Sequence, residues 1–228
     1  MNRAYMLKKL FLDLFYPNRC GMCGCEIPYD EYFCNTCVKL FSAPGKAVIP
    51  YVDYFTAFTS YDDYGKKLVG RFKNDSDGYA LSGAAFLIYK ALLKNSEINL
   101  NETELITYIP MRKRDIYRRG YNQCKIIAKE VAQLTDKPCL NALKKIRNTK
   151  PQKLLSAAER AENIKNAFHC TKEKSVKDRN ILIVDDISTT GSTLSEAAKA
   201  LKGAGAKTVT AVVFAKTKLR KEENPIKA

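Results

Sequence analysis

The sequence predicts an α/β protein, with a mainly parallel sheet flanked by helices and a small metal-binding module at the N-terminus. Three observations carry this. Apolar runs such as Ile181 to Val184 and Thr208 to Phe214 alternate with stretches of helical spacing such as Tyr121 to Leu134 and Ser192 to Lys202. That alternation packs helices on both faces of one sheet. Four cysteines fall as Cys20-x2-Cys23 and Cys34-x2-Cys37, the spacing of two metal-binding turns. Two carboxylates, Asp185 and Asp186, follow the most apolar run and lead into a hydroxyl-rich turn. They stand at the edge where open α/β sheets bind ligands.

Each element has its own signal in the chain. Residues 1–16 read as a short amphipathic helix ended by Pro17. The cysteine turns fill about 18–40, and Pro44, Gly45 and Pro50 mark a boundary. The division is therefore a module over 1–45 and a larger domain over 46–228 that ends in a basic tail. Tyr51 to Ser60 alternates aromatic and small residues and predicts a strand or hairpin. Tyr64 to Lys73 has apolar residues at 64, 68, 69 and 72, a helical spacing. Asn74 to Gly78 is a turn, and Tyr79 to Lys94 is a strongly apolar helix. Leu105 to Ile109 is a short buried strand stopped by Pro110. Tyr121 to Leu134 is helical, and Leu140 to Ile146 is a further candidate strand. Ser156-x-x-Glu159 is a capping box that opens another helix. A strand over Ile181 to Val184, a helix over Ser192 to Lys202 and a strand over Thr208 to Phe214 complete the order.

A chain of 228 residues, 46% hydrophobic and 28% charged, can bury a core without a disulfide scaffold. Its formal charge of +15 favours polyanionic partners: nucleic acid, phosphorylated small molecules or an anionic membrane surface. A merely basic, solvated surface is the alternative. The bases cluster. Arg112, Lys113, Arg114, Arg118 and Arg119 stand against Asp115 alone, and 137–153 holds six bases and no acid. The stretch Leu10 to Tyr16 is broken by Asp13, which excludes a membrane span there and argues against a cleaved leader. The expected location is the cytoplasm. No G-x-x-x-x-G-K-[ST] occurs, so a P-loop nucleotide site is excluded.

Cys20, Cys23, Cys34 and Cys37 would make a closed S4 shell, which suits structural zinc rather than catalysis. Cys25 is a possible substitute ligand. A redox pair or disulfides are the competing readings and fit a reducing compartment poorly. Cys124, Cys139 and Cys170 read as small buried hydrophobes. His169 has no partner at useful spacing and reads as structural.

The stretch 181–194 carries the chemistry. Ser188, Thr189, Thr190, Gly191, Ser192 and Thr193 form a turn rich in hydroxyls that runs into a helix N-terminus. Such a turn is a phosphate seat, where unpaired N–H groups converge and the helix dipole favours negative charge. Carboxylates beside a phosphate repel it unless they accept hydrogen bonds from hydroxyls of the same molecule. A ribose 5-phosphate meets both demands, with its phosphate in the turn and its 2- and 3-hydroxyls on Asp185 and Asp186. The alternative is a capping aspartate followed by an ordinary loop.

The run Val184-Asp-Asp-Ile-Ser-Thr-Thr-Gly-Ser-Thr193 resembles the phosphoribosyl-pyrophosphate (PRPP) motif of type I phosphoribosyltransferases. The two cysteine turns, Tyr61-Asp-Asp-Tyr-Gly65, Phe72-Lys73, the block Ile109 to Gln123, and Arg147-Asn-Thr-Lys-Pro-Gln152 with Ser156 to Asn163 are similar to the competence protein F (ComF) family. The resemblance implies a type I phosphoribosyltransferase-like sheet behind a zinc ribbon. It implies that Pro110–Asn122 occupies the position of the pyrophosphate loop, with Arg112 and Lys113 meeting a magnesium-bound pyrophosphate. Arg147, Thr149, Gln152 and Arg160 would belong to a flexible loop that closes over substrate. Structural Zn2+, and Mg2+ with PRPP, are the implied ions. Single-stranded DNA, in DNA uptake, and a separate competence helicase are the implied partners. The implied reaction displaces pyrophosphate from C1 of PRPP onto an acceptor that no segment identifies. The competing class is a non-catalytic module that binds single-stranded DNA or a helicase.

Overall fold

The computed structural model describes residues 17–74, 77–147 and 157–217. The expected helix over 1–16, Ser156 of the capping box and the tail beyond 217 lie outside them. A short helix α1 (Asn35–Val38) closes the cysteine module. There follow β1 (Tyr54–Ser60), α2 (Asp63–Asn74), α3 (Gly78–Lys94), a 3-10 turn (Leu100–Glu102) and β2 (Leu105–Tyr108). Then come α4 (Lys113–Arg119), α5 (Gln123–Thr135), β3 (Leu143–Lys145), α6 (Ala157–Ile164) and β4 (Phe168–Cys170). The order ends with α7 (Glu173–Val176), β5 (Asn180–Ser188), α8 (Ser192–Gly203) and β6 (Thr208–Lys216).

The main sheet has the order β1-β6-β5-β2, all parallel. A further parallel rung lies beyond β2, where Ile106 N donates to Pro138 O and Leu140 N donates to Ile106 O. β3 and β4 form a separate antiparallel pair. Period-2 alternation divides the sheet's side chains between two cores. Leu182, Val184, Val212 and Phe214 pack with Leu68 and Phe72 of α2, Ile88 of α3 and Ile127 of α5. Ile181, Ile183, Ala211 and Val213 pack with Leu194, Ala197 and Leu201 of α8, and with Leu143 and Phe168 of the hairpin. The sheet is thus covered on both faces, as its continuous apolar strands require.

Three departures from the sequence reading have physical reasons. Strand β5 does not stop at Val184 but runs to Ser188, because β6 continues beside it as far as Lys216. Asp185 and Asp186 therefore sit within the ladder, not after it. Residues 113–119 form a helix where a loop was expected; Gly120 ends it at φ 83° and donates its N–H to Ile116 O. Leu140–Ile146 is strand only at 143–145, paired with β4, in which His169 is exposed.

The cysteine module is packed against the sheet domain. Cys20, Met22, Tyr32, Phe33 and Cys37 share the core of α2, α3 and α5. Phe33 rests on Gly83 of α3, where a Cβ would meet its ring at 2.6 Å. Arg71 of α2 donates to Met22 O and to Asp77, and Asp77 caps α3 by accepting from Ala80 N at 3.1 Å. Among the described residues, no helix is long and apolar enough to cross a membrane.

Candidate functional site

The carboxyl ends of β1, β5 and β6 carry buried polar residues: Thr59 and Ser60 on β1, Asp185, Asp186 and Ser188 on β5, and Lys216 on β6. Asp185 and Asp186 are 7% and 6% exposed. Asp186 Oδ2 accepts from Gln123 Nε2 at 2.6 Å and pairs with Lys73 Nζ at 2.7 Å. Asp185 Oδ1 accepts from Cys124 Sγ at 3.2 Å and from Asp186 N at 2.8 Å. These contacts fall on one oxygen of each carboxylate. Gln123 is itself positioned from outside, since its Oε1 accepts from Arg119 Nη1 at 2.7 Å. Asn122 caps α5 by accepting from Lys125 N, so the Arg119–Gln123 block aims the first turn of α5 at β5.

Burial and the neighbouring Asp186 charge push the Asp185 carboxyl up to about 7. Lys73 responds in the opposite sense. Desolvation disfavours its charge, but Asp186 outweighs it and holds the ammonium above its usual range. Cys124 is a thiol, pushed well up by burial and then by the two carboxylates. From the opposite side Lys145 of β3 approaches. Burial, and then the Arg112 charge, bring it down to about 8, while Asp115 and Asp185 draw it back up. Its Nζ lies 5.7 Å from the centroid of the Phe168 ring.

The turn that follows is tight. Gly191 has φ 83°, and a Cβ there would lie 3.0 Å from Ile49 Cγ1. Only glycine fits both demands without strain. Thr190 Oγ1 and Ser192 Oγ are 2.8 Å apart, and Ser192 opens α8. Thr189 is half-buried and Thr193 stands in the first turn of α8. The N–H groups at the start of this 12-residue helix therefore face the same edge as the two aspartates.

Other candidates are placed differently. Arg112 Nε pairs with Asp115 Oδ2 at 2.6 Å, so its charge is answered within the chain. Lys113 is exposed at the start of α4. Arg147 is exposed and donates to Lys165 O. Thr149 and Gln152 lie outside the described residues, and Arg160 belongs to α6. Lys73, Gln123, Cys124 and Lys145 had no assigned role in the sequence reading. Cys124 is buried in the core, as expected of a small hydrophobe, and it also donates to Asp185.

At the N-terminus the Sγ atoms of Cys20, Cys23, Cys34 and Cys37 all lie within 4.8 Å of one another. A tetrahedral shell with zinc–sulfur bonds of about 2.3 Å separates its sulfurs by about 3.8 Å. Cys23 and Cys34 are 3.9 Å apart, so the cluster fits zinc. Cys34 N donates to Cys20 Sγ at 3.4 Å. Burial raises the Cys20 thiol, but backbone N–H groups of Cys23, Cys34 and Met22 outweigh it and bring it down to about 6, which favours the thiolate a metal needs. Cys25 Sγ lies 3.4 Å from Cys23, but Cys25 is exposed and its hydrogen bond with Cys23 pushes it up to about 12. It stands beside the shell.

The family model described as "Phosphoribosyl transferase domain" matches residues 116–227. Competence protein F of Haemophilus influenzae is 33% identical over 189 residues, which cover 82% of this chain and 79% of that protein. DNA utilization protein YhgH of Escherichia coli (strain K12) is 28% identical over 192 residues, covering 83% and 80%. Competence protein ComFC of Bacillus subtilis is 28% identical over 144 residues, covering 62% and 55%. The parallel sheet with its flanking helices is of the type I phosphoribosyltransferase kind.

Proposed function

This chain belongs to the competence protein F family, and on that premise we propose that it binds PRPP at the carboxyl edge of β5. The 5-phosphate takes the turn 188–193 and the N–H groups of α8. The ribose hydroxyls donate to Asp185 and Asp186. The observation that carries this reading is the division of labour within the carboxylate pair. Protein donors occupy Asp185 Oδ1 and Asp186 Oδ2, and the second oxygen of each can accept from a diol. Zinc in the Cys20–Cys37 shell is part of the proposal. It staples residues 1–45 as a structural module on the domain 46–228.

The reaction such a site supports is displacement of pyrophosphate from C1 of the ribose. The transition state gathers positive charge on the sugar and negative charge on the leaving group, so positioning and electrostatics do most of the work. Asp185 and Asp186 hold the ring, and the Lys73 ammonium pairs with Asp186. Lys145 and Lys113 are cations for the pyrophosphate side, and Arg112 orients Asp115. Magnesium is a hard ion that takes oxygen donors, so the carboxylates suit it and the Cys124 thiol does not. When bound with PRPP it neutralises charge on the pyrophosphate. Residues of the segment 147–160 would close over the substrate and exclude water.

The test is thermal stabilisation of the zinc-loaded chain by PRPP with magnesium. At about 100 times its dissociation constant a ligand adds about 2.7 kcal/mol of stability. The parent gains it and Asp185→Asn/Asp186→Asn does not; a parent that gains nothing overturns the reading. Release of pyrophosphate, followed with candidate acceptors, then separates transfer from binding.

A second observation favours contact with single-stranded DNA. Tyr117 is 94% exposed on α4, between Arg114 and the exposed Arg118. An exposed ring flanked by guanidinium groups stacks a base while the cations meet the phosphates. Tyr117→Ala should weaken oligonucleotide binding, and parent affinity should fall steeply with salt. Unchanged affinity in Tyr117→Ala would remove α4 from that role.

A further inference from the structure

The carboxyl end of β6 holds a charge that the described fold leaves unanswered. Lys216, the last residue of β6, is 5% exposed. Among the described residues no carboxylate lies within ion-pair distance of its ammonium. The hydrogen bond it makes there is a long one, 3.4 Å to Thr217 O. Lys73 shows the usual arrangement by contrast, with Asp186 against its ammonium.

Two hydroxyls accompany it. Ser188, the last residue of β5, is the register partner of Lys216. Register partners on neighbouring parallel strands are about 4.8 Å apart and point to the same face of the sheet. Ser188 is 4% exposed, and its buried Oγ has no hydrogen-bond partner. The buried Oγ1 of Thr217 has none either. Thr217 is tied to the same place, since its N–H donates to Ser188 O at 2.9 Å. One row further, Ser60 of β1 is satisfied, donating to Ala43 O at 2.7 Å. Two unmet hydroxyls therefore stand together with Lys216 at the junction of β5 and β6.

We propose that Lys216, Ser188 and Thr217 form an anion subsite that takes a phosphate group, beside the turn 189–193. A buried ammonium is expensive unless an opposite charge meets it, and buried hydroxyls are expensive unless they hydrogen-bond. A phosphate dianion answers both, because it offers acceptor oxygens to all three groups and balances the charge. A metal cation would be repelled by Lys216, and a neutral ligand would leave its charge unmet. The inference rests on the phosphoribosyl reading only in that Ser188 also begins the turn assigned to the 5-phosphate. Inorganic phosphate and the phosphate of a sugar ester share the required chemistry.

The experiment is thermal denaturation of the full zinc-loaded chain in phosphate-free buffer, titrated with inorganic phosphate, PRPP with magnesium, or both. Inorganic phosphate should raise the melting temperature of the parent and of Asp185→Asn/Asp186→Asn alike. Lys216→Met should melt higher than the parent without phosphate, because its unpaired charge is gone, and should no longer respond to phosphate. Lys216→Arg should keep the response. Ser188→Ala should weaken phosphate binding by about tenfold, the worth of one charge-assisted hydrogen bond. Should Lys216→Met fail to fold, Lys216→Arg and Ser188→Ala decide alone. Competition between phosphate and PRPP identifies the sugar's own 5-phosphate as the occupant; additive shifts identify a separate anion. A full phosphate response in Lys216→Met or Ser188→Ala overturns the subsite, as does a parent that ignores phosphate at concentrations on the order of 100 mM, a Kd too weak for a built site. Loss of the PRPP response with the phosphate response intact would instead sink the phosphoribosyl reading and leave this subsite standing.

Discussion

The chain gathers like-charging groups in two places, and it does so by opposite means. The cysteine shell draws four thiols from within 20–37, using the turn at 21–23 and the start of α1. The carboxylate pair is adjacent in sequence, but its counterparts come from far away. Lys73 arrives on α2, Gln123 and Cys124 on α5, and Lys145 on β3. The shell brings four thiols together with backbone N–H groups on the Cys20 sulfur, and it suits a dication. The pair has its own cation in Lys73 and its own donors in Gln123 and Cys124. Local geometry makes a site that closes on an ion, whereas long-range packing makes one that keeps oxygens for a ligand.

Breaking the shell should have the largest effect. Structural zinc in such sites contributes on the order of 10 kcal/mol of binding free energy to folding. Cys34→Ser, or chelation, should release one zinc per chain in metal analysis and expose amides of 17–40 to hydrogen exchange. Retained metal in Cys34→Ser would move the ligand set toward Cys25.

The carboxylate side should respond less, and in a paired manner. Lys73→Met leaves Asp186 buried without its cation, a loss of about 3–5 kcal/mol. Adding Asp186→Asn should restore much of that stability, and denaturant unfolding of the two single variants and the double variant closes the cycle. Independent, additive losses would mean that the pair is not coupled.

The pH dependence follows from Asp185. Its folded carboxyl titrates at about 7, above the ordinary aspartate range. The folded state therefore holds the proton more tightly than the unfolded one. Its contribution to stability is full in acid, declines from about pH 4 as the pH rises towards 7, and stays lost above that. Asp185→Asn should flatten this slope in urea titrations across that range and stabilise the unliganded chain at pH 8. A slope unchanged by the substitution would place the titrating group elsewhere.

The smallest expected effect lies in the turn. Gly191→Ala must hold φ near 83° and push against Ile49, a cost of about 1–3 kcal/mol. Its stability loss should be modest, while its loss of PRPP-dependent stabilisation should exceed that of an exposed change away from the site such as Lys94→Ala.

Much of this was legible in the chain. The parallel sheet follows from the apolar runs at 181–184 and 208–214, and the cysteine shell from its spacing. Lys73 and Gln123 stand in the runs Phe72-Lys73 and Ile109 to Gln123 that resemble the competence protein F family, but nothing local gives either a role toward Asp186. Their roles arise only when Phe72 and Ile127 bury themselves on the same face of the sheet. The pairing of Arg112 with Asp115 is not legible in the sequence, since Asp115 comes within reach only after 113–119 turns into a helix. The reach of β5 beyond Val184 likewise depends on β6 beside it.

The segment 42–50 crosses the open ends of the strands. Ser42 O accepts from Ser60 N and Thr59 Oγ1, Ala43 O accepts from Ser60 Oγ, and Ile49 lies against Gly191. This connection is pinned at both ends, so its length is fixed even though it holds no helix or strand. An inserted or deleted residue between Ala43 and Ile49 would displace either the stitch to β1 or the wedge under the glycine. Grafting a foreign metal module in front of this domain would therefore succeed only if the joint were made upstream of Ser42.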